Sequence, residues 1–418
     1  MERIVIAGGR PLNGKVRIGG AKNAALPILG ATLLTEAPCL IREIPNLTDV
    51  GVMRNILKTL GAKVEVVGDL TTVEAATLTS LTVPEHLMRE MRSSIIVMGA
   101  LLTRFGTVKV SQPGGCDIGS RPIDLHIKGL KELGAEISEK HGYITATCDR
   151  LRGASIHLDF PSVGATQNLM MAATLADGAT VITNAAKEPE IVDLQNFINS
   201  LGANIKGAGT DTIRIEGVEK LHGTDYTVIP DRIVAGTYLL AGAITGGKVT
   251  ALNVIPEHLE SLLAKLREMG VQVTVAGDTV TVQAKHPLQA IDSLRTLPYP
   301  GFPTDLQAPM MALLCLANGT SIVTETVFES RFKHVNELKR MGANIKVNER
   351  TAIITGVPAL SSANVSATDL RAGAALVLAG LAADGITVIE DVHHIYRGYI
   401  DLDVNLRALN ARVERIGD

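Results

Sequence analysis

Apolar and polar positions along the chain follow two periods that take turns. The opening MERIVIAGGRPLNG alternates almost residue by residue, which predicts a first β-strand. Further on, Ala/Leu/Gly-rich stretches of helical length each run into a small turn and a β-branched strand, as in MMAATLADGATVITN, LLAGAITGGKVTALN, MALLCLANGTSIVTE and LVLAGLAADGITVIED. A second phrase runs in step with these: a charged helix end, then LG or MG, then a short strand. It recurs at Gly61, Gly134, Gly202, Gly270, Gly342 and, with asparagine, at Asn410, with spacings of 73, 68, 68, 72 and 68 residues. Glycine or asparagine is what a left-handed helix C-terminus requires, so the phrase predicts helix, cap, strand. The chain is thus six units of helix, strand, helix, strand, strand, an alternation that favours α/β architecture.

The sixth unit ends at Asp418 with one closing strand where the others have two. IRIEGVEKLHG from Ile213 matches IVIAGGRPLNG from Ile4 at an offset of 209, half the chain, so the N-terminal strand is expected to supply the missing one. This predicts two domains of three units each: residues 22–229, and residues 1–21 with 230–418. A length of 418 residues is in any case too great for one ordinary core.

Composition narrows the function. With 46% hydrophobic and 20% charged residues the chain is well packed and globular. A net charge of −3, no tryptophan and 3% aromatics give no basic field and few stacking surfaces, so no nucleic-acid partner is expected. No apolar run reaches the ~18 to 20 residues of a membrane span, and the N-terminus lacks a signal-peptide pattern, so the expected location is the cytoplasm. Cys39, Cys116, Cys148 and Cys315 show no disulfide or zinc-ligand spacing, which predicts free thiols and no metal.

The chemistry gathers at the helix starts. They read AKNAALP (Lys22, Asn23), MRSSIIV (Arg92), GATQNLM (Thr166, Gln167), PDRIVAG (Asp231, Arg232), PTDLQAP (Thr304, Asp305) and TDLRAGA (Asp369, Arg371). Polar residues there serve as N-caps. Cations do not, because they oppose the helix dipole, so Lys22, Arg92, Arg232 and Arg371 point instead to anionic ligands at helix N-termini. The segment SQPGGCDIGSRPIDLH, residues 111–126, sets Cys116 in a glycine-rich polar loop, where nearby cations would lower its thiol pKa. The other three cysteines sit in apolar or strand contexts that suit packing. In TETVFESRF and HHIYRGY, Arg331 and Arg397 lie among aromatics, either gripping a carboxylate or phosphate or forming surface ion pairs.

Together GAKNAALPIL, QPGGCDIGSRPIDLH, PSVGAT, EPEIVDL, PDRI, YPGFPTDLQA, TETVFESRF, TDLRAG and HIYRGY make the chain resemble, over its whole length, the UDP-N-acetylglucosamine enolpyruvyl transferases of peptidoglycan synthesis. The related shikimate enolpyruvyl transferases lack the cysteine loop. The resemblance implies two inverted α/β domains, inside-out barrels of three βαβαββ repeats each, with the substrate cleft between them. It implies phosphoenolpyruvate and UDP-N-acetylglucosamine as substrates and no cofactor. Lys22, Asn23, Arg121 and Arg397 are similar to the residues that hold phosphoenolpyruvate, with Arg371 a further anion contact. Arg92, Arg121, Pro122, Ile123, Asp124, Leu125, Ser162, Val163, Gly164, Asp305 and Val327 resemble the sugar-nucleotide contacts. Cys116 takes the position of the proton donor and Asp305 that of the general base, with Lys22 and Arg397 completing the catalytic set. A catalytically silent paralogue that binds the sugar nucleotide is the alternative; the oligomeric state is not legible.

Overall fold

The computed structural model describes residues 2–112 and 123–417. The chain forms two compact units, whose described residues run 2–19 with 230–417 and 20–112 with 123–229. Each has its own apolar core.

In the unit of residues 20–229, the helix Val97–Phe105 packs against both Lys22–Ala31 and Val163–Thr174, and all three are buried on nearly every side. A helix apolar all round belongs in an interior. The Ala/Gly content lets backbones approach closely: a Cβ on Gly99 would sit 2.2 Å from the Asn168 carbonyl oxygen of the facing helix. Arg232–Ile244, Gln307–Leu314 and Leu370–Ala382 form the corresponding trio of the other unit. Around each trio lie three sheets whose strands alternate buried and less buried positions, one face on the helices and one toward water. Helices inside and sheets outside is the inverted α/β arrangement expected from the resemblance. No helix among the described residues is long and apolar enough to cross a membrane.

The six-unit pattern is present in the backbone. Gly61, Gly134, Gly202, Gly270, Gly342 and Asn410 all have positive φ, between 75° and 107°. The N-terminal strand Arg3–Ala7 pairs antiparallel with both Ile386–Glu390 and Arg412–Ile416, just as Thr212–Glu216 pairs with Ala179–Thr183 and Asn204–Lys206. Two further strands are supplied from a distance. Asn13–Arg17 runs parallel to Lys248–Leu252, and Thr224–Thr227 runs parallel to Cys39–Arg42. Each unit is therefore built around a short leading strand as well as the predicted five elements. Among the described residues five sheets have four strands, and in the sixth the leading strand is reduced to a single bridge, Thr82 to Lys109.

Candidate functional site

In the unit of residues 20–229, Lys22 is the first residue of its helix, which begins at Ala21 without a side-chain cap. Its side chain lies inward, 7% exposed, with Nζ 3.1 Å from Oδ2 of Asp49, itself 4% exposed in the first turn of Thr48–Leu60. Asn23 follows, half-buried. Arg92 opens the 3-10 turn Arg92–Ile96 that leads into Val97–Phe105. Ser162 is the N-cap of Val163–Thr174, its hydroxyl accepting the Ala165 N–H at 3.3 Å. Val163 and Gly164 form the first turn, where a Cβ on Gly164 would lie 3.3 Å from the His126 ring. Ile123 precedes, and Asp124 and Leu125 open, Asp124–Glu132, the helix that carries His126. Asn168 ties these helices together: Oδ1 accepts the Gly99 N–H at 2.6 Å, and Nδ2 lies 3.0 Å from His126 Nδ1. Cys116, Arg121 and Pro122 lie outside the described residues.

In the unit of residues 230–417, two buried arginines converge on Asp305. Arg331 Nη2 lies 2.6 Å from Oδ1 and Arg371 Nη2 lies 3.2 Å from Oδ2. Arg331 Nη1 also donates to Thr304 Oγ1 at 2.8 Å. Arg371 is 2% exposed, its guanidinium carbon 5.4 Å from the centre of the Tyr399 ring. Burial opposes its charge, but Tyr399, Asp305 and Asp231 outweigh burial and raise its pKa above the ordinary value. Nε and Nη1 of Arg371 and Nε of Arg331 are buried and in hydrogen-bonding geometry with no described residue, although Tyr399 lies close enough to Arg371 to favour its charge. Buried guanidinium nitrogens are rarely left so, because each unmet donor carries a desolvation cost. Arg397 is half-buried at the end of the 3-10 turn Val392–Arg397, and Val327 is half-buried just beyond the strand Thr320–Thr324. Burial pushes His334, beside Arg331, down to about 4, so its ring is neutral at pH 7.

Two capping expectations need correction, and one of the two readings of Arg331 is excluded. The cap of Val163–Thr174 is Ser162 rather than Thr166 or Gln167, which are buried within the helix; Thr166 Oγ1 accepts the Ala186 N–H at 3.1 Å. Side-chain caps are found at Ser162, Asp231 and Asp369, whereas the helices that follow Ala21, Met91 and Pro303 start without one, the last two through 3-10 turns. Arg331, finally, is no surface ion pair. It is 4% exposed and two of its nitrogens are engaged by Thr304 and Asp305.

Three carboxylates around these residues were not singled out in the sequence: Asp49, Asp193 and Glu325. Asp193, on Pro189–Ser200, accepts the Tyr226 hydroxyl at 2.5 Å and the Ile229 N–H at 3.3 Å, and the Ile229 carbonyl accepts the N–H of Ala21, next to Lys22. Burial raises the Asp193 carboxyl from 3.8 to about 6, the two hydrogen bonds only partly offsetting it, and Glu190 adds to the rise. A folded-state value above the unfolded one means that the folded protein holds this proton more tightly. The resulting stabilisation is complete below 3.8 and is lost as pH rises through about 6. A difference of roughly 2 units corresponds to about 3 kcal/mol. Asp193→Asn is therefore expected to gain stability relative to the unmodified chain by an amount of that order between pH 4 and pH 7. Urea unfolding at both pH values measures it, and a pH-independent difference between the two proteins would contradict the assignment.

Among the described residues no cluster of three or more His, Cys, Asp or Glu side chains is arranged as a set of metal ligands. The profile of EPSP synthase (3-phosphoshikimate 1-carboxyvinyltransferase) matches residues 6–406. A UDP-N-acetylglucosamine 1-carboxyvinyltransferase 1 of Carboxydothermus hydrogenoformans is 53% identical, covering 100% of this chain and 99% of the relative. A UDP-N-acetylglucosamine 1-carboxyvinyltransferase 2 of Caldanaerobacter subterraneus is 55% identical, covering 100% of both. The crystal structure of the enolpyruvyl transferase NikO from Streptomyces tendae superposes with a TM-score of 0.89 at 27% identity, over 99% of this chain and 98% of that one. EPSP synthase from Acinetobacter baumannii, at 18% identity and a TM-score of 0.76, shares the fold. Full-length identity above one half, together with the inverted α/β units, means that the chain belongs to the enolpyruvyl transferase family, among its UDP-N-acetylglucosamine 1-carboxyvinyltransferases.

Proposed function

We propose that the chain transfers the enolpyruvyl group of phosphoenolpyruvate to the 3-hydroxyl of UDP-N-acetylglucosamine and releases phosphate, the first committed step of peptidoglycan synthesis, in the cytoplasm. The observation that carries this reading is identity above 50% over the whole length to relatives of that name. Buried arginines with unspent donors suit anionic substrates.

The reaction adds the sugar oxygen to C2 of phosphoenolpyruvate while C3 takes a proton. The tetrahedral intermediate then loses phosphate and a C3 proton, which restores the double bond. Cys116 gives the first proton to C3, and Asp305 removes the proton from the sugar hydroxyl. Lys22, Asn23, Arg121, Arg371 and Arg397 hold the phosphate and carboxylate, where the charge of the departing phosphate grows. Arg92, Pro122, Ile123, Asp124, Leu125, Ser162, Val163, Gly164 and Val327 hold the sugar nucleotide. The scheme uses neither metal nor cofactor.

The test is phosphate release by the purified chain. Release that requires both phosphoenolpyruvate and UDP-N-acetylglucosamine is expected. Tight binding of the sugar nucleotide without release would instead favour a catalytically silent paralogue.

A further inference from the structure

Glu325 follows directly on the strand Thr320–Thr324 and is wholly buried, at 0% exposure. An ionised carboxylate is costly to bury unless its oxygens are satisfied. Here four donors meet it. Oε1 accepts the Thr296 hydroxyl at 2.9 Å and the backbone N–H groups of Val327 at 2.8 Å and Phe328 at 3.1 Å, while Oε2 accepts the Thr304 hydroxyl at 2.9 Å. The Thr304 hydroxyl in turn accepts from Arg331, whose other terminal nitrogen holds Asp305. One side chain thus joins the turn that carries Asp305 to the loop that carries Val327, which lies 22 residues further along the chain.

We propose that Glu325 is a positioning residue for this reaction: its single carboxylate sets the Thr304–Asp305 turn and the Val327–Phe328 backbone in one register, so that the general base and a sugar-nucleotide contact are placed together. The arrangement has a chemical logic. A neutral amide at this position has one acceptor and one donor group, so it cannot accept from both the loop amides and the Thr304 hydroxyl. Glu325→Gln therefore keeps the shape but weakens the link: the Thr304 hydroxyl loses its carboxylate acceptor, and the amide nitrogen can meet it only as a donor, with the hydroxyl hydrogen turned away. Among the residues given to phosphoenolpyruvate, Arg371 meets this link at one remove, through Asp305, so the donor contacts depend on it less directly than the sugar-nucleotide contacts do. The inference rests on the roles given above to Asp305 and Val327.

Steady-state kinetics of the full-length Glu325→Gln protein test it. Loss of charge-assisted hydrogen bonds predicts a fall in kcat of ~10- to 100-fold and a rise in KM for UDP-N-acetylglucosamine of about 10-fold, with KM for phosphoenolpyruvate changed less than about twofold. Thr304→Val, which removes the relaying hydroxyl and introduces no amide, is expected to shift the same two parameters in the same direction. It serves if Glu325→Gln fails to fold. A purely structural role would lower the melting temperature while each folded molecule keeps its kcat and both KM values, and that result would overturn the inference. Equal rises in both KM values would do so too. If the unmodified chain turns over and both variants match it, this inference alone fails. If the unmodified chain does not turn over, the reading of the site fails, and this inference with it.

Discussion

Asp305→Ala is expected to lower kcat by ~10³-fold, with KM for phosphoenolpyruvate altered far less, because the carboxylate is asked to take a proton rather than to bind the donor. The geometry holds this carboxylate in place. Asp305 sits in a 3-10 turn, Thr304–Leu306, and is held from two sides by Arg331 and Arg371. Its position is therefore set by two buried groups rather than by a mobile side chain, and proximity of this kind is where much catalytic advantage arises. Removing the carboxylate also leaves two buried guanidiniums without their shared partner, so a loss of stability accompanies the loss of rate. Asp305→Asn separates the two, since the amide oxygen still accepts from one arginine. It is expected to fold better than Asp305→Ala and to be nearly as slow. Circular dichroism and single-turnover kinetics on both variants check this. An effect confined to KM would make Asp305 a binding residue.

Lys22→Ala is expected to combine a loss of stability with a loss of donor binding. Lys22 and Asp49 form a buried pair, and removing one partner of such a pair costs about 3–5 kcal/mol because the other charge is left buried. KM for phosphoenolpyruvate should rise by ~100-fold, the loss of one strong charge-assisted contact to an anion. The double variant Lys22→Met with Asp49→Asn removes both charges together. Its melting temperature is expected to recover most of the loss while its KM for phosphoenolpyruvate stays high. Recovery of both would make Lys22 a structural residue with no part in holding the substrate.

The repeat was legible because it rests on a backbone requirement. A left-handed helix terminus admits few residues other than glycine and asparagine, so Gly61 and its five counterparts mark helix ends without any knowledge of packing. The strand Arg3–Ala7 was legible for a related reason, since its alternation copies that of Thr212–Glu216. The leading strands were not. Asn13–Arg17 buries one residue of five and Thr224–Thr227 none, so neither shows an apolar alternation, and their pairing depends on a sheet assembled from distant segments.

A similar division runs through the candidate site. Lys22, Asp305 and Arg371 stood out because charged residues recur at the starts of apolar helices. Their partners did not stand out. Asp49 in the first turn of an amphipathic helix reads as a favourable dipole interaction, and Glu325 at a strand end reads as a solvated surface residue. What makes each of them buried is the neighbouring chain, and no local pattern encodes that. The same holds for Asp193, whose partners Tyr226 and Ile229 lie 33 and 36 residues away.

The structure of the product decides which bond the enzyme makes. Nuclear magnetic resonance of the reaction mixture, after the purified chain has consumed phosphoenolpyruvate and UDP-N-acetylglucosamine, is expected to show vinyl protons coupled to an ether at the sugar 3-position, with one inorganic phosphate per product. Unaltered sugar nucleotide, or an enolpyruvyl ether at another hydroxyl, would contradict the account.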